Sequence, residues 1–202
     1  MSIVDRAKNI LLTPKTEWPA IAAEPATVGS VFTYAAILAL LPLIGSILFT
    51  GLLGLGGFGM GMLGMVVTLA LVGYALSLGL LYVVALIVDA IAPSFDGQKN
   101  FIQSLKLIVY SATPSWVAGA ISGIPVLGFL AMIAGIAFAV YLIYLGSGPL
   151  KAIPDAKQSG FTVVTVLIYI VLNVVLVAII TGIVMSAFIG AAGIGALAGS
   201  GI

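Results

Sequence analysis

One short polar stretch carries charged side chains between two long uncharged segments. Residues 25–150 include four charged residues, which are Asp89, Asp96, Lys99 and Lys106. Ionisable groups in so apolar a chain are energetically costly and commonly mark functional sites. Asp89 closes one apolar segment and Lys106 lies just inside the next, so two adjacent antiparallel helices would bring them together. We predict an Asp89–Lys106 pair, which serves either a functional site or a structural clamp with Lys106 reaching toward the headgroups.

A second polar group follows on the same predicted helix as Lys106. It consists of Tyr110, Ser111, Thr113 and Pro114. Proline has no amide hydrogen and interrupts the hydrogen bonds of a helix, which predicts a local opening near Tyr110. The patch could bind a substrate or pack against neighbouring helices. A further candidate is Asn173, which is predicted to hydrogen-bond to another helix within the membrane.

The residue types that are missing argue against several kinds of chemistry. The chain of 202 residues has no His and no Cys, so it lacks the commonest general base, metal ligand and thiol nucleophile. No two carboxylates are spaced to act together in catalysis. We therefore expect no enzymatic activity, no bound metal and no cofactor. The net charge of +1 predicts no nucleic-acid binding.

The composition predicts an all-α membrane protein. Hydrophobic residues make up 62% of the chain and charged residues only 6%, whereas soluble domains contain about 25% charged residues. The uncharged run from residue 25 to residue 88 exceeds the roughly 20 residues of one span, and a glycine-rich turn at 51–64 divides it. Pro42 is predicted to kink the first span. Five spans are predicted, near residues 31–50, 63–91, 101–122, 125–147 and 160–188.

The N-terminal segment, residues 1–28, is predicted to lie at the membrane surface. Five apolar residues share one face of a predicted helix, namely Ile3, Val4, Ala7, Ile10 and Leu11. Trp18 carries an amphipathic ring that suits the headgroup level, so it is predicted to be an interfacial anchor. This amphipathic helix serves either as an anchor beside the first span or as an element that binds a partner or senses lipid.

The positive charges predict the orientation of the chain. Five spans place the N-terminus and the loops at 92–100 and 148–160 on one face, and all seven Lys and Arg residues lie on or near that face. Because Lys and Arg favour the cytoplasmic side, we predict a cytoplasmic N-terminus and an external C-terminus. The predicted division is a cytoplasmic segment at 1–28, a five-span domain at 29–190 and a short external Gly-rich tail at 191–202.

Three segments of the sequence resemble a bacterial member of the Yip1-domain family. They read ILLTPKTEWPAIAAEPAT, APSFDGQKNFIQSLKLIVYSATPSWVAG and YLIYLGSGPLKAIPDAKQSGFTVV. Within the second segment, the resemblance is carried by Gly97, Lys106, Tyr110, Thr113 and Pro114. The resemblance implies a five-span domain with a cytoplasmic N-terminus. Eukaryotic members of the family act in vesicle traffic and interact with Rab GTPases. Their long polar N-terminal region has no counterpart here, so the resemblance implies the architecture and not that role.

Two classes of function follow from these observations. The first is a non-enzymatic scaffold or adaptor in the bacterial inner membrane, acting through its cytoplasmic face and its lipid contacts. The second is a small transporter, channel or lipid-handling protein that uses Asp89, Lys106 and the polar patch. Expected partners are membrane lipids and either further copies of the chain or other membrane proteins. Small residues at Gly119, Gly123 and Gly135 predict close helix contacts, within one chain or between chains.

Overall fold

The chain forms a bundle of helices. The computed structural model describes residues 1–54 and 63–199, with side chains described through Ser186. The helices are α1 (Ile3–Leu12), α2 (Pro14–Ala23), α3 (Val28–Leu38), α4 (Leu40–Gly45), a π-helical segment (Ser46–Leu52), α5 (Leu63–Ile91), a 3₁₀ turn (Ala92–Phe95), α6 (Phe101–Ser111), α7 (Thr113–Gly119), α8 (Leu127–Lys151) and α9 (Asp155–Gly199). Most of the predicted Gly-rich turn, residues 55–62, lies outside the described residues, as do residues 200–202 of the predicted tail.

Four helical segments within the described residues are long and apolar enough to cross a membrane. They are Val28–Leu52, Leu63–Phe95, Leu127–Lys151 and Asp155–Ser186. The predicted third span is instead divided into the shorter helices α6 and α7, with the interruption at Ala112. Pro114 lies in the first turn of α7 and cannot donate a hydrogen bond to the carbonyl one turn earlier, which is the physical reason for the break.

Proline also interrupts the first long segment. Helix α3 begins after Thr27, whose side chain accepts a hydrogen bond from the Ser30 backbone N–H while the Ser30 hydroxyl accepts one from the Thr27 N–H. The helix stops at Leu38 because Pro42 has no N–H to donate to the Leu38 carbonyl. The interruption predicted near Pro42 is therefore present, at Ala39.

The α6–α7 segment lies at the centre of the bundle. The side chains of Leu105, Leu107 and Val109 on α6 have no exposed surface. Segment α3–α4 runs in the same direction as α6–α7, because Tyr34 contacts Thr113 and Pro42 approaches Gly119. The predicted small-residue contact at Gly119 is thus made within one chain.

Helices α5 and α8 run opposite to the central segment. Along α8, Gly135 lies against Ala118 on α7, and Gly146 lies against Leu107 on α6. Helix α5 starts beside the π-helical segment and ends beside the first turn of α6. Helix α9 reverses direction again, beginning with Phe161 against Phe95. Within the described residues, α3–α4, α5, α6–α7, α8 and α9 therefore alternate in direction along the bundle.

One end of the bundle contains most of the charged residues, and we call it the polar end. It comprises residues 1–27, 92–100 and 151–158. These stretches are held together by backbone and side-chain contacts: the Gln98 N–H donates to the Lys151 carbonyl at 2.8 Å, and Gln103 donates to the Ala22 carbonyl at 2.9 Å. The N-terminal helices are thus part of the folded bundle.

Candidate functional site: charge clusters at the polar end and a polar cavity

Three segments of the chain meet at the carboxylate of Asp89. Its Oδ1 accepts hydrogen bonds from the Asn100 backbone N–H at 2.7 Å, the Ser104 hydroxyl at 3.0 Å and the Lys151 ammonium at 2.6 Å. The Lys151 side chain is 0% exposed, whereas that of Asp89 is 19% exposed. We call these four residues the Asp89 cluster. A buried ammonium group needs a compensating negative charge, and Asp89 supplies it.

The loop before α6 closes over the end of α8 and holds this cluster in place. Asn100 caps α6 by accepting a hydrogen bond from the Gln103 N–H, and its carbonyl accepts a second hydrogen bond from Lys151 at 3.2 Å. A Cβ at Gly97 would lie 2.9 Å from the Lys151 carbonyl oxygen, so a side chain at this position would push the loop away. The Asp89 cluster therefore joins the ends of α5 and α8 to the start of α6.

A second cluster attaches the N-terminal helices to α6. Arg6 on α1 forms ion pairs with Glu17 on α2 and with Glu24 just after it. The Lys106 ammonium donates to the backbone carbonyls of Ile21 at 2.8 Å and Glu24 at 2.6 Å. We call Arg6, Glu17, Glu24 and Lys106 the Arg6 cluster. Its two cations and two carboxylates balance in charge, which reduces the cost of burying Arg6, Glu17 and Lys106.

Aromatic residues continue the Arg6 cluster into the bundle. The Arg6 guanidinium lies over the Tyr110 ring, 5.8 Å from its centroid. Tyr110 in turn meets Tyr34 edge to face at 4.7 Å between centroids, and the Tyr34 and Thr113 hydroxyl oxygens are 2.7 Å apart. Tyr110 and Thr113, two members of the predicted polar patch, therefore pack against α3.

The other side of the same segment faces a cavity. A space of about 230 Å³ lies between α6–α7, α8 and α9. The described residues around it are uncharged, and its polar members are Ser111, Ser115, Thr165, Tyr169 and Asn173. The hydroxyl groups of Ser111 and Thr165 are buried and have no hydrogen-bond partner in the described part of the chain. The predicted patch is thus divided, with Ser111 toward the cavity.

The predicted Asp89–Lys106 pair is wrong. Asp89 pairs with Lys151 and Lys106 binds backbone carbonyls at the end of α2. Both residues do lie near the polar end, as their sequence positions predicted. Their side chains leave the helices in different directions, because Ser104 rather than Lys106 faces Asp89 across the α5–α6 contact. Snorkelling of Lys106 to the headgroups is also not observed, since the residue is 2% exposed.

The predicted interfacial role of Trp18 is wrong as well. Its side chain is 1% exposed and packs against α8, where a Cβ on Gly146 would approach its ring to 2.9 Å. Within α1, Ile10 is fully buried and Ile3, Ala7 and Leu11 pack against the core, whereas Val4 is 74% exposed. Four of the five residues of the apolar stripe therefore face the bundle.

Asn173 lines the cavity but makes no hydrogen bond to a neighbouring helix among the side-chain hydrogen bonds of residues 1–54 and 63–186. Its hydrogen bond across helices therefore stays a prediction. Pro114, the last member of the predicted patch, is buried at the start of α7 and acts on the backbone as expected.

The sequence analysis missed two central residues. The predicted loop at 148–160 includes Lys151, yet α8 continues through Pro149 and ends at Lys151. Arg6 lies outside the apolar stripe of α1, where an exposed side chain is expected, yet it is 6% exposed. One signal could have identified Lys151: it lies at the end of an apolar segment, on the same predicted side of the membrane as Asp89.

Comparison with known families supports the assignment that the sequence motifs suggested. Residues 8–179, most of the chain, match the model of the Yip1 domain. Neither a curated protein nor a solved structure matches the chain significantly. The matched region includes the Asp89 cluster, most of the Arg6 cluster and the residues around the cavity.

Proposed function

The chain belongs to the Yip1 domain family, and on that basis we propose that it is a non-enzymatic membrane scaffold that presents its polar end to partner proteins. It is a multi-pass membrane protein with long apolar helices. The proposal assigns the bundle to membrane anchorage and the polar end to recognition.

The attachment of the N-terminal helices is the observation that carries this proposal. The Arg6 cluster and the buried Trp18 hold α1 and α2 against α6 and α8, so the polar end has a defined surface before any partner arrives. A preorganised surface loses less conformational entropy on binding. Lys8, Lys15 and Lys99 are exposed on this surface and are free of the two clusters, which suits contact with an acidic partner.

We further propose five membrane crossings, with α6–α7 as the third. Helices α5 and α8 both end at the Asp89 cluster, which supports this proposal. Because α8 runs toward the cluster, α6–α7 must first carry the chain from the cluster to the opposite end of the bundle. The combined length of Phe101–Gly119 corresponds to roughly 28 Å at 1.5 Å per residue, close to the hydrocarbon thickness of about 30 Å. The concentration of Lys and Arg at the polar end favours a cytoplasmic N-terminus, in the inner membrane of a bacterium.

Reporter fusions test the topology. Fusions after Lys99 and after Lys157 should report a cytoplasmic location, and a fusion at Ile202 should report an external one. A cytoplasmic C-terminus would mean an even number of crossings and would contradict the five-crossing proposal.

The second candidate function is that of a transporter, channel or lipid-handling protein. Asp89 and Lys106 do not support ion transport, because both side chains are bound to structural partners near one end of the bundle. Lipid handling keeps a specific observation in its favour: among the described residues, the cavity is lined by uncharged side chains, and two of its hydroxyl groups have no hydrogen-bond partner.

Photo-crosslinking in living cells tests the scaffold function. A photoreactive amino acid at Lys8 or Lys15 should crosslink a defined protein, whereas the same residue at Ile133, an exposed site on α8, should not. With the photoreactive residue at Lys8, the Lys15→Glu variant should reduce the crosslink several-fold and Lys15→Arg should retain it, since charge is the proposed basis of recognition. Crosslinks that arise from Ile133 alone, or solute transport by the purified chain in vesicles, would contradict the scaffold function.

A further inference from the structure

Two buried hydroxyl groups around the central cavity lack hydrogen-bond partners. Ser111 is 2% exposed and Thr165 is 0% exposed, and neither hydroxyl is within hydrogen-bond reach of another described group. Three hydroxyls elsewhere on the long helices, those of Thr33, Thr68 and Ser77, donate to a backbone carbonyl one turn earlier, whereas that of Thr162, outside the cavity, has no partner among the described groups. Buried polar groups are normally paired, so an additional molecule is the simplest source of the missing partners.

The cavity lies at mid-length of the bundle. Ala139, the central residue of α8, is one of its lining residues and is roughly 18 Å from either end of that helix. On the outer side, the cavity is bordered by Ile136, Ile170 and Val174, whose side chains are exposed on the surface of the bundle. In a membrane-spanning bundle that surface faces lipid, so the bilayer interior provides a route into the cavity.

The lining determines the chemical class of the occupant. The absence of charged residues among the described lining disfavours a charged headgroup, which would also be costly at this depth. Apolar side chains make up most of the wall and suit a hydrocarbon chain, while Ser111 and Thr165 need an oxygen to bond with. The volume of about 230 Å³ is smaller than that of a typical ligand site. It therefore suits one segment of a longer molecule, the rest of which stays in the bilayer.

We propose that this cavity binds an uncharged membrane lipid at a hydroxyl or carbonyl oxygen carried on its hydrocarbon chain, with Ser111 and Thr165 as the hydrogen-bonding residues. The ester groups of ordinary phospholipids lie near the headgroups, so they would not reach this depth without leaving the bilayer surface. The inference concerns the membrane-embedded part of the chain and holds whether or not the polar end recognises a partner protein.

Photolabelling of the purified full-length chain in phosphatidylcholine vesicles tests this site. The probes are a long-chain alcohol and a long-chain ketone that carry a diazirine next to the oxygen, and the control is a diazirine-bearing alkane of the same length. Both oxygen-bearing probes should label residues on α8 and α9 around Ala139 and Thr165, with saturation at increasing probe concentration. The alkane should label these residues more weakly.

Variants separate a binding role of the hydroxyl groups from a structural one. Ser111→Ala and Thr165→Val should each weaken probe binding about 2- to 10-fold, and the melting temperature should stay unchanged or rise because an unpaired group has been removed. Thr162→Val is the matched control, since Thr162 on the same helix is also buried and unpartnered but does not line the cavity. Ala139→Leu, which fills the space, should abolish labelling by both oxygen-bearing probes.

Four outcomes would overturn the proposal. The first three are equal labelling by the alkane, unchanged binding in the Ser111→Ala/Thr165→Val double variant, and labels that map to the outer surface of the bundle alone. A dimer interface that covers the cavity would be detected as probe labelling that decreases with increasing protein-to-lipid ratio, and this result would also overturn it. None of these readouts depends on the polar end, so failure of the lipid site is distinguishable from failure of the scaffold function.

Discussion

Replacing Asp89 by asparagine removes the charge opposite Lys151 while nearly preserving the size of the side chain. Lys151 would then be a fully buried ammonium whose remaining partners are neutral oxygens, among them the Asn100 carbonyl at 3.2 Å. Breaking a buried ion pair by removing one partner costs about 3–5 kcal/mol. Because Asp89 itself is 19% exposed, water compensates in part, and we expect a loss near the lower limit, about 3 kcal/mol.

Replacing Lys151, the cation of the pair, should lower the free energy of unfolding by less than replacing Asp89. Lys151→Met leaves the Asp89 carboxylate with two remaining hydrogen bonds, from the Asn100 N–H and the Ser104 hydroxyl, and with access to water. We expect a loss of about 1–2 kcal/mol, since the stranded charge is still partly solvated. The double variant has no stranded charge and should lose about 2 kcal/mol, which corresponds to a coupling energy of about 2–3 kcal/mol.

The assay is a double-mutant cycle on the free energy of unfolding, measured in bicelles by steric trapping at neutral pH. The matched control is the cycle of Asp89→Asn with Lys106→Gln, in which the two residues have no common partner. Their effects should add to within about 0.5 kcal/mol. Additive effects in the Asp89–Lys151 cycle, or coupling above about 1 kcal/mol between Asp89 and Lys106, would refute the assignment of the pair.

Two further predictions concern the attachment of the N-terminal helices. Arg6→Leu leaves two carboxylates of the Arg6 cluster without their cation and should lower the free energy of unfolding by about 2–4 kcal/mol. The control Lys8→Leu, on the exposed side of α1, should change it by less than about 0.5 kcal/mol. Limited proteolysis of residues 1–27 provides a second readout. Gly146→Ala should cost about 1–3 kcal/mol because the added methyl group meets the buried Trp18 ring at 2.9 Å, and the control Gly79→Ala, with no atom within 4 Å of the new methyl group, should be neutral or stabilising. Equal melting temperatures of the members of either pair would contradict the packing described for that site.

The extent of the helices was accessible from the sequence because it depends on local properties. Helix α5 has the bounds expected from its apolar run, Leu63–Ile91, between a glycine-rich turn and a polar loop. The interruptions at Ala39 and Ala112 follow from the missing amide hydrogens of Pro42 and Pro114. Two predicted boundaries differ: α8 continues to Lys151, inside the loop predicted at 148–160, and α9 spans Asp155–Gly199 instead of residues 160–188. Buried partners around Lys151 stabilise a helical turn that local preference disfavours.

The pairing of charges was not accessible in the same way. Sequence position gives the depth of Asp89 and Lys106 along the bundle, but not the direction in which each side chain points around its helix. That direction depends on how α5, α6 and α8 pack, and a rotation of one residue moves a side chain by about 100° around the helix axis. The cavity was inaccessible for the same reason, since Ser111, Thr165 and Asn173 come from segments far apart in sequence.

By itself, the sequence determined that this chain is an apolar helical membrane protein with its charges at one end, because composition and periodicity act locally and do not depend on which helices are neighbours. Only the tertiary structure decided how those charges are used. The apolar stripe of α1 and the ring of Trp18 suit a membrane surface and a protein core equally well. Packing against the bundle is favoured because it pairs Arg6 with carboxylates and Lys106 with carbonyl oxygens. Burial of a charge is decided by the complete set of groups around it, and that set is assembled from distant parts of the chain.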